Sequence, residues 1–238
     1  MRVLMIAPPG AGKGTQGERI ANHYGVRHIS TGDLLRDQVA RRTDLGRRVS
    51  AYVDNGELVP DDVVLEIVRE ALQEASQTET RGYVLDGIPR TIQQARDLYL
   101  VAREFDMTAD VALHLRVSEA EIVRRLLARA SAQRRADDTE QVIRRRLELY
   151  TGVTAPILDW YAERGILVTI DGEGPAQHVT KKIFEAVDRL QREQHDVIDV
   201  RNPLEMKSLE SAFDGTPSDD NRIDSWAVPV VAATLGAS

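Results

Sequence analysis

With 238 residues, 42% hydrophobic and 29% charged, the chain has the size and composition of a soluble globular protein with a substantial core. Its formal net charge of -7 argues against nucleic acid as a partner, because binding a phosphate backbone calls for a basic excess. The lack of cysteine excludes disulfides and thiolate metal sites and suits a reducing cytosol.

Taken in chain order, short apolar runs predict buried strands at residues 3–6, 26–29 (the weakest), 83–85, 111–115 and 166–170. Apolar positions spaced by three and four predict helices at 15–24, 61–74, 92–105, 119–129, 139–163 and 176–191. Strands alternating with helices of this length imply an α/β fold with a parallel sheet covered on both faces. Two stretches exceed simple crossovers: residues 33–70 hold several helices, and the arginine-rich stretch 125–146 interrupts a helical region. Insertions of this kind usually stand over the functional edge of a sheet. The N-terminus enters directly on a strand pattern, without the features of a signal peptide, and no apolar run approaches a membrane span. A cytoplasmic protein with no membrane partner is expected.

From His195 to Ser238 the pattern changes. Eight acidic residues against three basic ones place -5 of the net charge there, and Pro203, Gly215, Pro217 and Pro229 break any periodicity. Composition thus divides the chain into a domain, 1–194, and an acidic extension, 195–238, that reads as flexible. Ile223, Trp226, Val228, Val230 and Val231 leave open that the extension docks on a partner.

The first strand runs into Pro9-Gly10-Ala11-Gly12-Lys13-Gly14-Thr15 and then into an amphipathic helix. Strand, glycine-rich turn and helix in that order are the setting of a phosphate-binding loop. Glycines at 10, 12 and 14 let backbone N–H groups turn toward phosphate oxygens, and the helix N-terminus adds partial positive charge. Lys13 would reach the terminal phosphates, and Thr15 is placed to orient them or a magnesium ion. Ala7 stands where the general pattern has its first glycine. Alanine is tolerated there only if the backbone keeps an ordinary conformation, and that conformation is expected.

Further segments follow: Ser30-Thr31-Gly32-Asp33-Leu34-Leu35-Arg36, Gly56-Glu57-Leu58-Val59-Pro60-Asp61, Leu85-Asp86-Gly87-Ile88-Pro89-Arg90-Thr91 with Gln94, and Arg135-Ala136-Asp137-Asp138 with Arg144-Arg145-Arg146-Leu147. Together with Pro9 to Gln16 they resemble, in order and spacing, the adenylate kinases of short-lid type. The resemblance covers residues 1 to about 192 and leaves the extension outside it. It implies a P-loop three-layer α/β/α core with a parallel five-stranded sheet, a helical NMP-binding insertion at about 30–60 and a short lid at about 129–139. The implied reaction is reversible, magnesium-dependent phosphoryl transfer from ATP to AMP, by a monomer.

The resemblance also implies roles. On the ATP side it places Gly10, Ala11, Gly12, Lys13, Gly14 and Thr15, with Arg125, Arg129 and the backbone of Gly174. On the AMP side it places Thr31, Arg36, Leu58, Val59, Gly87, Arg90 and Gln94, the last on the adenine edge. Arg135 and Arg146 close over both phosphate chains, oriented by Asp137 and Asp138, so that Lys13, Arg90, Arg125, Arg135 and Arg146 form the catalytic set. Asp86 holds magnesium through water, and Thr15 is a further candidate ligand.

The chemistry agrees with elementary electrostatics. Bringing two phosphate chains together concentrates negative charge, so the site needs cations. An acceptor phosphate, with a second pKa of about 6, is already largely ionised and needs no general base. The five histidines, at 23, 28, 114, 178 and 195, show no ligand spacing, so no zinc is expected. Tyr150, Trp160 and Tyr161 read as core, and Thr31 has the alternative of capping the helix after Gly32. Two other functions remain open at this level. A uridylate or cytidylate kinase typically carries alanine and asparagine where this chain has Thr31 and Gln94. A nucleotide-sensing protein with weakened turnover is suggested by Ala7, Ile88 and the tail.

Overall fold

The computed structural model describes the backbone of residues 1–133 and 140–200, and side chains within 1–128 and 141–192. Compact contacts divide the chain into two units, residues 1–181 and 182–238.

The first unit begins with β1 (Arg2–Ile6), the glycine-rich loop and α1 (Lys13–Tyr24), followed by β2 (Arg27–Ser30). Three helices then form the insertion expected before the next strand: α2 (Thr31–Ala40), α3 (Asp44–Asn55) and α4 (Asp61–Ser76). After it come β3 (Tyr83–Asp86), α5 (Ile92–Glu104), β4 (Val111–Arg116) and α6 (Glu119–Gln133). The chain continues through α7 (Glu140–Leu149), a π-helical turn (Tyr150–Thr154), α8 (Ile157–Ala162), β5 (Leu167–Asp171) and the start of α9 (Ala176–Val200). The second unit, as far as it is described, is the remainder of α9 from Lys182 to Val200.

All five strands are parallel, in the order β2-β3-β1-β4-β5. The central strands β1 and β3 are buried almost throughout, which is why they read as continuous apolar runs rather than as alternation. The edge strands β2 and β5 are half-exposed, which explains the weak apolar signal of residues 26–29. Register levels the carboxyl ends of the strands: Met5 and Ser30 both lie opposite Asp86, and Ile6 lies opposite His114. Loops leaving these ends share one edge of the sheet, where open α/β sheets bind ligands.

Local chemistry sets the helix starts. Ser30 Oγ accepts from Asp33 N–H at the start of α2, Thr43 Oγ1 from Gly46 N–H at α3, and Thr91 Oγ1 from Gln94 N–H at α5. Each satisfies an amide that the helix cannot. Ser30, not Thr31, therefore caps α2. A main core joins β1, β3 and β4 to α4, α5 and α8, and a smaller cluster of Ile122, Leu126 and Ile143 joins α6 to α7.

Two sequence expectations need correction. The single helix expected over 139–163 is interrupted: Ala155 N–H reaches Tyr150 O in a π-type bond, and α8 starts only after Pro156. Proline has no N–H to continue the ladder. The last helix, expected over 176–191, runs to Val200, because no helix breaker precedes Pro203.

Candidate active site

The glycine-rich loop turns between the end of β1 and the start of α1. Gly10 and Gly12 take left-handed conformations, with φ of 84° and 98°, that side chains rarely adopt. Gly12 is the N-cap of α1 and brings no side-chain cap. The positive end of the helix therefore faces the cleft bare of side chains. Lys13 Nζ curls over the loop, donating to Ala7 O at 2.8 Å and Pro8 O at 3.4 Å. Ala7 is 5% exposed and is not among the non-glycine residues with positive φ, so the missing glycine leaves no backbone strain. Ala11, expected on the ATP side, is buried and is not among the residues that line the cleft.

Across the sheet edge, β2 and β3 build the opposite wall. Thr31 is 1% exposed and its Oγ1 donates to Asp86 O at 3.3 Å. Arg90 Nε donates to Gly87 O at 2.7 Å, which aims its guanidinium along the wall. Arg36 pairs with Asp33 one helical turn earlier. Burial depresses the Arg90 pKa below its ordinary value, the Asp86 carboxylate opposes that shift, and the like charges of Arg146 and Arg36 add to it. Arg36 from α2 and Arg146 from α7 thus both press positive charge on Arg90, in the loop after β3. An anion bound there would relieve the repulsion.

Arg125, on α6, ties together the elements on the glycine-rich loop's side of the cleft. Its guanidinium donates to Ala11 O at 3.1 Å in the glycine-rich loop, and to Gly172 O at 3.0 Å and Gly174 O at 3.4 Å beyond β5. Its Nε donates to Glu121 Oε1 at 2.7 Å. Hydrogen bonds from Arg124 and Arg125 hold the Glu121 carboxyl down to about 2. Leu126, on the next position of α6, presses on the loop so closely that a Cβ at Gly10 would meet its Cγ at 2.7 Å.

These elements enclose a cleft of about 630 Å³. From the expected donor set, Gly10, Gly12, Lys13, Gly14, Thr15 and Arg125 line it. From the expected acceptor set, Thr31, Arg36, Leu58, Val59, Gly87, Arg90 and Gln94 line it, together with Asp86 and Arg146. Gly174 stands outside the lining and meets the site through Arg125. Arg129 belongs to α6, its side chain being outside the described residues, as are Arg135, Asp137 and Asp138. The stretch of about 129–139, where a lid is expected, is therefore described only along the backbone of its first residues.

Trp160 and Tyr161 are core, as expected. Tyr150 is not: it lines the cleft, half-buried, with its hydroxyl 3.2 Å from His114 Nε2. Its place in the π-helical turn rotates it out of the helical pattern that sequence reading assumes. Sequence reading also missed Gln16, which bonds Ala176 O and Thr180 Oγ1, and Asp61, which bonds Gln94. Gln16 left a signal as an amide on the inward face of α1, whereas the Asp61 contact spans 33 positions and leaves none.

Asp86 decides the fit of a magnesium ion. The residue is 9% exposed, and its Oδ1 is buried without a hydrogen-bond partner on the cleft wall. A buried carboxylate oxygen left unpaired is costly unless a cation or ordered water completes it. Among the described residues no group of three or more His, Cys, Asp or Glu could hold a metal ion alone. One carboxylate suits magnesium, which keeps most of its waters and arrives with phosphate.

A family described as adenylate kinase matches residues 5–166. The chain is similar to the adenylate kinase of Kocuria rhizophila, 46% identical over 188 residues, which is 79% of this chain and 99% of that one. It is similar to that of Pseudarthrobacter chlorophenolicus, 46% identical over 190 residues, 80% and 98% of the two chains. The adenylate kinase of Thermobifida fusca is 42% identical over 187 residues, 79% and 98%. The matches take in nearly the whole of each relative and leave about a fifth of this chain outside them. A glycine-rich loop and an arginine-bearing wall that line one cleft at the edge of a parallel sheet, in a chain so matched, place it in the adenylate kinase family.

Proposed function

We propose that this chain catalyses reversible phosphoryl transfer from ATP to AMP, giving two ADP. The observation that carries the reading is the single cleft whose walls bear Lys13 on one side and Arg36, Arg90 and Arg146 on the other. No hydrolytic triad or redox centre is needed for such a transfer; positioned cations suffice.

In this reading the donor phosphates lie on the loop 10–15, with Lys13 leaving its contacts to Ala7 and Pro8 carbonyls for phosphate oxygens. Arg125 holds the loop and the Gly172–Gly174 backbone in register for the donor nucleotide, and Arg129 extends that wall. The acceptor phosphate sits among Arg36, Arg90 and Arg146. Thr31, Leu58, Val59, Gly87 and Gln94 enclose its base. Arg135 and Arg146 follow the migrating charge as the lid closes and water is excluded. Asp86 through water, with Thr15, would hold magnesium, which neutralises phosphate charge and fixes the geometry of an in-line transfer. A monomeric cytoplasmic enzyme, with residues 195–238 outside the chemistry, completes the proposal.

The test is ADP formation from ATP with AMP, UMP, CMP and GMP as acceptors. AMP is expected to be preferred by a wide margin. Preference for a pyrimidine acceptor, or binding of ATP and AMP without ADP formation, would overturn the reading.

A further inference from the structure

The Gln94 amide is held at both ends. The side chain is 2% exposed; its Oε1 accepts from Arg90 N–H at 2.8 Å, and its Nε2 donates to Asp61 Oδ1 at 2.6 Å. The two partners are chemically opposite. A backbone N–H can only donate and an ionised carboxylate can only accept. Turning the amide over would set donor against donor at Arg90 and acceptor against acceptor at Asp61. The orientation of Gln94 is therefore fixed by its neighbours rather than by the ligand.

Each end keeps one valence: a second lone pair on Oε1 and a second hydrogen on Nε2. Gln94 lines the cleft, whereas Asp61 does not. Toward the cleft the fixed amide offers an acceptor beside a donor in one order only. A 6-aminopurine edge, with an amino donor beside a ring-nitrogen acceptor, complements that order. A 6-oxopurine edge, with a carbonyl beside a ring N–H, presents the reverse and would be matched only by a turned amide.

We propose that Asp61 is a positioning residue that locks the orientation of Gln94, and that this lock makes the acceptor pocket choose 6-amino over 6-oxo purine monophosphates. The inference rests on the reading above that Gln94 faces the acceptor base. Asp61 also begins α4, after a Pro60 N-cap that makes no side-chain hydrogen bond. A carboxylate there favours the helix whatever nucleotide is bound. That role changes stability and leaves the choice of base unmoved, so the two are separable.

The experiment uses the full chain and its Asp61→Asn variant, isosteric and able to offer either a donor or an acceptor to Gln94. Asp61→Ser releases the lock in the same way while suiting a helix start, and Asp61→Glu restores the carboxylate. The readouts are kcat and KM with AMP and with inosine monophosphate, KM for ATP, and the thermal midpoint. In Asp61→Asn and Asp61→Ser the ratio of kcat/KM for AMP over inosine monophosphate should fall on the order of tenfold. The change should lie in the acceptor KM, with KM for ATP unmoved, and Asp61→Glu should keep most of the wild-type ratio. An unchanged ratio in both lock-releasing variants, or parallel loss with both acceptors, would overturn the lock. Wild-type protein that fails to phosphorylate AMP would instead overturn the activity itself.

Discussion

At position 7 a methyl group replaces the hydrogen of a glycine, and the backbone stays outside the left-handed region. Ala7→Gly should therefore bring no rise in nucleotide affinity. It should lower stability by about 0.5–1 kcal/mol, through added freedom of the unfolded chain, as read from denaturant midpoints and nucleotide titration. Arg125 carries a different burden, since it donates to three carbonyls and one carboxylate of the protein. Arg125→Ala should raise KM for ATP on the order of tenfold by loosening two loops, and KM for AMP much less, as measured by initial rates. That Lys13, Arg36 and Arg90 line one cleft was legible in sequence because each sits in a local motif with glycine or proline at fixed offsets, and Arg146 was legible from the arginine run 144–146. Asp61 and Tyr150 were not. The partner of one lies 33 positions away, and the other is turned by a local change of helical pitch.

Among the elements, the hairpin of α2 and α3 shows how tightly the insertion is built. A Cβ at Gly46 would lie 2.0 Å from Gln38 O, a backbone atom that cannot swing aside. Gly46→Ala should destabilise by about 1–3 kcal/mol, with acceptor KM rising more than donor KM, in thermal unfolding and steady-state assays. At the same corner Arg42 holds φ of 52° with an exposed side chain. Arg42→Gly should remove strain of about 1 kcal/mol, partly offset by glycine's freedom when unfolded, and raise the thermal midpoint slightly. The parallel strands could be read from sequence because they are apolar on both faces. The break within 139–163 could not, because the apolar spacing continues across the π-helical turn; only Gly152 and Pro156 hinted at it.

At the scale of the molecule, titration gives a signed expectation. Burial, with Arg116 adding, lowers the His114 pKa from its ordinary 6.5. Between the folded and unfolded values the unfolded chain binds more protons, so stability rises with pH there. His114 thus contributes fully above 6.5 and progressively less below it. Glu121, held at about 2 against an ordinary 4.5, contributes fully above 4.5 and loses that contribution as pH falls toward 2. The thermal midpoint should fall from pH 6.5 toward about 5, and His114→Gln, neutral throughout, should flatten that limb. The adenylate kinase family matches residues 5–166, so removing residues 195–238 should leave kcat and both KM values unmoved in steady-state assays. The parallel architecture and the kinase class were legible from the order of motifs along 1–192. What composition could not give was how far α9 extends, because its acidic final turns resemble the tail that follows them.

The four hydrogen bonds of Arg125 have one more consequence. They join α6, the glycine-rich loop and the segment beyond β5 before any nucleotide arrives. The entropy of ordering these three pieces is spent once, during folding, and not again at each turnover. In the proposed reading a donor nucleotide therefore meets this part of its site already joined, and the adjustments that accompany each catalytic cycle fall to Lys13 and the other arms of the cleft.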